Sequence, residues 1–350
     1  MTDETPPAKP RRKAGRPLGD TMGGILVGFD QLIMRTLPPP HELVHKGAPV
    51  RGLSGEGDDD LVIHLPSTSE RTDPHQGGAM PSFTTSPDGT TIAYDRLGDG
   101  RPLILVGGML SDRRRVGLMP GALAAALGDA WSVVTYDRRG RGDSGDTPPY
   151  AVEREIEDLV ALIDATGGTA DVYGHSSGAG LSLRAAAKGA PIGRLILYEP
   201  PFAGDDPDSQ AQARARAAAV GSAIAEGRPD EAIRGFLTAI GMPPEAAAAQ
   251  AADPATLALA PTMPYDHAVM GDADGGSVPV DLVSAIRIPT LVLIGGASPP
   301  FFAAAADRLV EHLDEGSMTV LEGQGHAVAP DVIAPVVATF LGSGAAEGER

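Results

Sequence analysis

The chain has 350 residues, enough for one large domain with an extension or for two domains, and a hydrophobic content of 42% supports a sizeable core. A net charge of −18 argues against general nucleic-acid binding and against adhesion to an anionic membrane, since both need a positive field. The absence of cysteine excludes disulfides, thiolate metal sites and a cysteine nucleophile, and it is compatible with a reducing cytoplasm, the compartment expected here.

Residues 1–80 read as an extension. Residues 1–20 are polar and rich in proline and charge, the composition of a disordered segment. Within them, Lys9-Pro10-Arg11-Arg12-Lys13 followed by Gly15-Arg16-Pro17 fits a minor-groove arm or a solvated tail. The tail is favoured, because runs of charge are usually solvated. Residues 23–34 are apolar but too short to span a bilayer, carry Asp30, and lead into no small-x-small cleavage pattern. An amphipathic helix with Ile25, Phe29, Leu32 and Ile33 on one face fits better, ended by Pro38-Pro39-Pro40. A strand at 61–65 would lie between linker-like stretches.

Beyond residue 80 the pattern becomes regular. Strands are expected at 83–85 and 91–94, joined by the turn Pro87-Asp88-Gly89. The apolar run at 103–106 reads as a buried parallel strand and ends in Gly107-Gly108-Met109-Leu110. A helix at 117–127 and a strand at 131–136 follow. Next comes Asp137-Arg138-Arg139-Gly140-Arg141-Gly142-Asp143-Ser144, whose arginines invite a phosphate-binding reading. Asp137 and Asp143 offset that charge, so a structural turn is favoured. Residues 153–165 form a helix with Leu159, Leu162 and Ile163 turned inward.

The stretch Ala170-Asp171-Val172-Tyr173-Gly174-His175-Ser176-Ser177-Gly178 then runs a short apolar strand into Gly-x-Ser-x-Gly, and an Ala/Leu-rich helix leaves it. Strand, tight turn and helix are what a nucleophile elbow needs, with small residues two before and two after the serine. Gly174 and Gly178 flank Ser176 symmetrically, so Ser176, not Ser177, is the candidate nucleophile. A strand at 195–198 ends in Glu199-Pro200-Pro201-Phe202. From 203 to 283 the chain turns into alanine-rich helical segments (210–226, 229–240, 244–251) separated by Gly and Pro. A strand at 290–294, a helix at 301–313, a strand at 318–321 and a helix at 332–341 close the chain. Glu322-Gly323-Gln324-Gly325-His326-Ala327 lies between the last two. Repeated β-α units imply an α/β fold with a mostly parallel, doubly wound sheet. The eight histidines show no metal-ligand spacing, so no metal and no cofactor are expected.

Over about 81–341 these motifs resemble the α/β-hydrolase superfamily, and within it the actinobacterial-type esterase/haloperoxidase-like branch with a serine nucleophile. The resemblance implies an α/β-hydrolase core at 81–202 and 284–345 with a helical cap insertion at 203–283. It makes His326 the general base and the backbone N–H groups of Met109 and Ser177 the oxyanion hole, although Gly107 replaces the His of the family's usual His-Gly. The family's acid usually follows the strand at 291–294, where this chain has Gly295-Gly296-Ala297-Ser298-Pro299. Some relatives carry it after the preceding strand, the place of Glu199, and the order Ser176, Glu199, His326 matches the superfamily. Glu199 is therefore the expected acid, with Asp266 and Asp272 as rivals. Gly108, His175, Phe202 and Tyr265 are expected to touch substrate, and Met263, His267 and Met270 are pocket or core. The implied activity is cleavage of an ester, lactone, thioester or amide of a small molecule through an acyl-enzyme. The alternative is a ligand-binding relative that has drifted from catalysis, in keeping with Ser298 and the missing His-Gly. A small-molecule substrate is the implied partner, with no nucleic acid, no membrane and no particular oligomeric state.

Overall fold

Alternating side chains decide how the layers form. The computed structural model describes residues 80–116, 119–240 and 242–342; the expectations for the N-terminal extension lie outside these residues. In strand β3 (Arg101–Val106), Leu103 and Leu105 enter one buried cluster while Ile104 and Val106 enter another. Strand β6 (Ile192–Tyr198) does the same with Ile196 and Tyr198 against Leu195 and Leu197. Successive side chains of a strand point to opposite faces, so a sheet apolar on both faces must be covered on both.

The sheet has eight strands in the order β1-β2-β4-β3-β5-β6-β7-β8. β1 (Ser82–Thr85) and β2 (Thr91–Leu97) form the antiparallel end, and β2 also meets β4 (Trp131–Tyr136) antiparallel. All other pairings are parallel, through β5 (Ala170–His175), β7 (Thr290–Gly295) and β8 (Gly316–Leu321). Helices α1 (Met119–Leu127) and α11 (Pro330–Gly342) cover one face through Leu123, Ile333, Val337 and Leu341. The opposite cluster gathers α2 (Val152–Thr166), α3 (Ser177–Ala187) and α10 (Pro300–His312). Among the described residues, no helix is long and apolar enough to cross a membrane.

Between β6 and β7 run α4 (Pro207–Ala225), α5 (Pro229–Ala239), α6 (Pro244–Ala252), α7 (Pro254–Leu257), α8 (Met263–Met270) and α9 (Val280–Val283). Asp206 and Asp253 cap α4 and α7 by accepting the N–H of Ser209 and Thr256, each at 2.9 Å. Packing divides the segment expected as one cap. Val220, Ile233, Leu237, Ala247 and Met263 form a cluster of their own, with Met109 and Leu110 packed against it. Val269, Met270 and Val283 instead join the main core. A Cβ on Gly180 would lie 2.6 Å from Met270 Sδ, so α8 is seated directly on α3. An isolated bridge between Ala203 and Ser277 closes the root of the excursion, with Ala203 N–H donating to Gly276 O at 2.7 Å.

Candidate active site

Register brings the expected groups to one edge. His175 stands opposite Tyr198 in the β5–β6 pairing, so Ser176 and Glu199 leave neighbouring strands side by side at their C-terminal ends. Ligands gather at that edge in open α/β sheets. The N–H of Ser176 donates to Tyr198 O at 2.9 Å, and that of Glu199 to Leu293 O at 3.0 Å.

Ser176 has φ 57 and ψ −126, outside the regions an L-residue prefers. The turn survives because its flanks are bare: a Cβ on Gly178 would fall 2.2 Å from Val106 O, and one on Gly174 2.5 Å from Ala179 Cα. Gly108 approaches from the β3 loop, where a Cβ would sit 2.9 Å from Ser176 Cβ and 3.5 Å from its Oγ. Ser177 is the first residue of α3, and its N–H is one of the donors that a helix start leaves without an intrahelical partner. Met109 lies in the loop directly after β3, beside Gly108.

Glu199 is fully buried and has φ 44. Its Oε2 lies 2.7 Å from His326 Nδ1, and its Oε1 accepts the Gly295 N–H at 2.7 Å. Ser298, at the family's usual acid position, has a buried hydroxyl with no hydrogen-bond partner and does not orient the imidazole. The rivals are engaged elsewhere: Asp272 meets His267 Nδ1 at 2.5 Å, and Asp266 accepts the Ser177 hydroxyl at 2.7 Å.

Aromatic contacts hold the imidazole. The ring of His326 stacks on Phe302 at 5.0 Å and lies 5.1 Å from His175, the neighbour of Ser176. His175 in turn stacks on Tyr198 at 4.9 Å, and Tyr198 Oη donates to Gly325 O, fixing the histidine loop. Loss of hydration and the nearby His326 push the His175 pKa down to about 3, so it stays neutral at physiological pH.

The charged loop after β4 is a structural turn. Asp137 accepts the N–H groups of Arg113 and Asp143, each at 2.8 Å. Its three arginines are buried and paired: Arg138 with Glu155 at 2.6 Å, Arg139 with Asp158 at 2.7 Å, and Arg141 with Asp266 at 2.7 Å. Burial alone would raise the Asp266 carboxyl, but Arg141, Arg138 and the Ser177 hydroxyl bring it down to about 2.

The remaining expected residues have packing partners of their own. Phe202 is 1% exposed within the main core cluster, and Met263 and Met270 are core as well. Tyr265 stacks on Tyr150 at 3.8 Å, and its hydroxyl donates to Asp146 at 2.8 Å. The Arg138–Asp266–Arg141 network was not legible as a unit, because no spacing pairs residues separated by 125 positions in the chain. Among the described residues, no cluster of potential metal ligands is present.

A mostly parallel sheet with a strained serine at one strand end and a carboxylate–histidine pair beside it defines a hydrolase of the α/β type. The chain belongs to the alpha/beta hydrolase family, whose model matches residues 103–339. It is 49% identical to an alpha/beta hydrolase of known structure from Sphaerobacter thermophilus, covering 74% of this chain and 100% of that one with a TM-score of 0.64. A thermophilic esterase from Thermogutta terrifontis is 25% identical over 77% of this chain and 99% of its own, with a TM-score of 0.53. Among curated proteins, an N-formylmaleamate deformylase of Pseudomonas putida is 38% identical over 111 residues, 31% of this chain and 40% of that protein. A putative carbamate hydrolase of Caulobacter segnis is 47% identical over 64 residues, 17% of this chain. These matches span under half of either curated relative, 40% and 24%.

Proposed function

We propose that the protein is a cofactor-free serine hydrolase that cleaves an ester, lactone, thioester or amide of a small molecule through an acyl-enzyme. Ser176 Oγ attacks the carbonyl carbon while His326 takes its proton. The carbonyl oxygen, now carrying the negative charge, accepts the N–H groups of Met109 and Ser177. The intermediate collapses, and His326 returns the proton to the leaving alcohol, thiol or amine. Water then attacks the acyl-enzyme with His326 as base, releasing the acid and restoring Ser176. Glu199 keeps Nδ1–H pointed at itself and stabilises the imidazolium. A serine rather than a carboxylate nucleophile argues against dehalogenase or epoxide-hydrolase chemistry, both of which pass through an alkyl ester of the enzyme.

The observation that carries this reading is Glu199. A buried acid is held at φ 44 with one oxygen on His326 and the other on Gly295. Strain of this kind persists where the surroundings over-determine it, and it clusters at functional sites. A drifted ligand-binding protein would have no need to keep the pair. The deformylase, carbamate hydrolase and esterase among the similar proteins are named for cleaving bonds at a carbonyl carbon, which supports an acyl substrate for this chain.

A fluorescent fluorophosphonate tests the triad directly. Wild type should label, Ser176→Ala should not, and His326→Ala and Glu199→Gln should slow labelling by up to ~10⁴-fold. A well-folded wild type that does not label would overturn the serine mechanism. Rapid labelling of Glu199→Gln would remove Glu199 as the acid.

A further inference from the structure

One carboxylate is linked to both halves of the proposed oxyanion hole, directly to Ser177 and through Arg141 to the peptide of Gly108 and Met109. Asp266, fully buried on α8, accepts Ser177 Oγ at 2.7 Å and Arg138 Nη1 at 2.6 Å on Oδ1, and Arg141 Nη2 at 2.7 Å on Oδ2. Arg141 Nη1 donates to Gly108 O at 2.6 Å and to Ser111 O at 3.3 Å, Gly108 O also accepts Ser111 Oγ at 2.6 Å, and Arg138 Nη1 reaches Gly107 O at 3.2 Å. The Gly108 carbonyl and the Met109 N–H belong to one planar trans peptide and point in opposite directions. Pulling the carbonyl toward Arg141 therefore turns the Met109 N–H away from it and increases its polarity as a donor. The bond to the Ser177 hydroxyl fixes the residue that supplies the second N–H.

We infer that Asp266 is a positioning residue for the oxyanion hole, setting the Met109 amide through Arg141 and the Ser177 amide through its hydroxyl. The inference rests on the serine-hydrolase reading above. It adds a consequence of the fold: α8, late in the helical insertion, has a direct grip on the residue next to the nucleophile. A purely structural ion cluster would account for the arginines. It would not account for the Ser177 hydroxyl being on the same carboxylate, or for the shorter of the two Arg141 Nη1 bonds going to the carbonyl whose peptide carries the proposed donor.

The test separates the maximal rate of fluorophosphonate labelling of Ser176 from the probe's apparent affinity, with thermal unfolding measured on every variant. A misdirected oxyanion donor slows bond formation and leaves binding alone, so Asp266→Asn should lower the maximal labelling rate by ~10²-fold with affinity changed by less than about threefold. A folded Asp266→Asn that labels within about twofold of wild type, or that loses only affinity, overturns the inference. Should Asp266→Asn not fold, Ser177→Ala decides, because it cuts only the hydroxyl link. A drop of ~10-fold in the maximal rate supports the role, and an unchanged rate overturns it. Absence of labelling in wild type, or labelling that survives Ser176→Ala, is a separate result that removes the serine-hydrolase reading itself.

Discussion

Leu110, Ser176 and Glu199 are the non-glycine residues with positive φ among those described, at 56, 57 and 44 respectively. Each such conformation costs of order 1–3 kcal/mol; Ser176 and Glu199 directly follow β5 and β6, and Leu110 lies in the loop after β3. The elbow pays part of its cost in side-chain volume. Substituting Gly178→Ala would place a methyl 2.2 Å from Val106 O and 2.6 Å from Gly107 O, backbone atoms that cannot swing aside. The expected loss is about 3 kcal/mol or more, read as a lower urea midpoint, together with loss of Ser176 labelling. That steric demand made Ser176 legible in the chain, because glycine two residues either side of it is a requirement written in residue identity. Glu199 was legible only as a position after a strand; its backbone conformation and its bond to Gly295 were not. The placement of Tyr265 was hidden for a similar reason, since its partners Tyr150 and Asp146 lie far away in the chain.

At the scale of elements, the helical insertion has two loyalties. The cluster around Ile233 also packs Met109 and Leu110, so its rigidity is felt by the loop that carries a proposed oxyanion donor. Ile233 is fully buried, and Ile233→Ala should cost about 2–4 kcal/mol through the cavity it leaves. Thermal unfolding checks the stability, and slower labelling of Ser176 should accompany it. Strands were readable to within a few residues because buried parallel strands are continuous apolar runs, as Leu103 to Val106 and Thr290 to Ile294 show. Helix α8 was not readable. Pro264 stands in its first turn, and both of its sides are buried, Met263 against the insertion cluster and Met270 against the core, so no amphipathic period marks it. Met263, His267 and Met270 therefore read as either pocket or core, and packing puts Met263 and Met270 in the core.

For the molecule as a whole, half-buried His175 and fully buried Asp266 both contribute to its behaviour in acid. The His175 pKa is about 3 in the fold against an ordinary 6.5, so as pH falls below 6.5 the unfolded chain takes up a proton that the native state refuses. Stability therefore declines from about pH 6.5 toward 3. Asp266, at about 2 against 3.8, contributes in full above 3.8 and loses its contribution as pH falls through about 2. The histidine slope comes first on acidification. His175→Asn should flatten the fall in urea midpoint between about pH 6 and 4 relative to its own neutral-pH value, which unfolding curves at each pH will show. An unchanged slope would mean that other groups dominate. The sheet itself was legible at this scale, because β and α segments alternate in the chain. The ion cluster joining Arg138, Arg141, Glu155 and Asp266 was not, since charges in sequence carry no address for partners in another layer.

The bridge between Ala203 and Ser277 has a consequence for how this architecture can vary. The chain leaves the sheet and returns to it through a single doorway, with Ala203 N–H on Gly276 O at 2.7 Å. Everything between the doorposts and α8 is, for the sheet, one closed loop, and doubling the length of a closed loop adds only about 0.6 kcal/mol of closure entropy. Natural variation is thereby free to lengthen, shorten or exchange the α4–α7 portion while strand register and the serine elbow stay as they are. Two things have to stay in place: α8, with its carboxylate on Ser177, and an apolar surface against Met109 and Leu110.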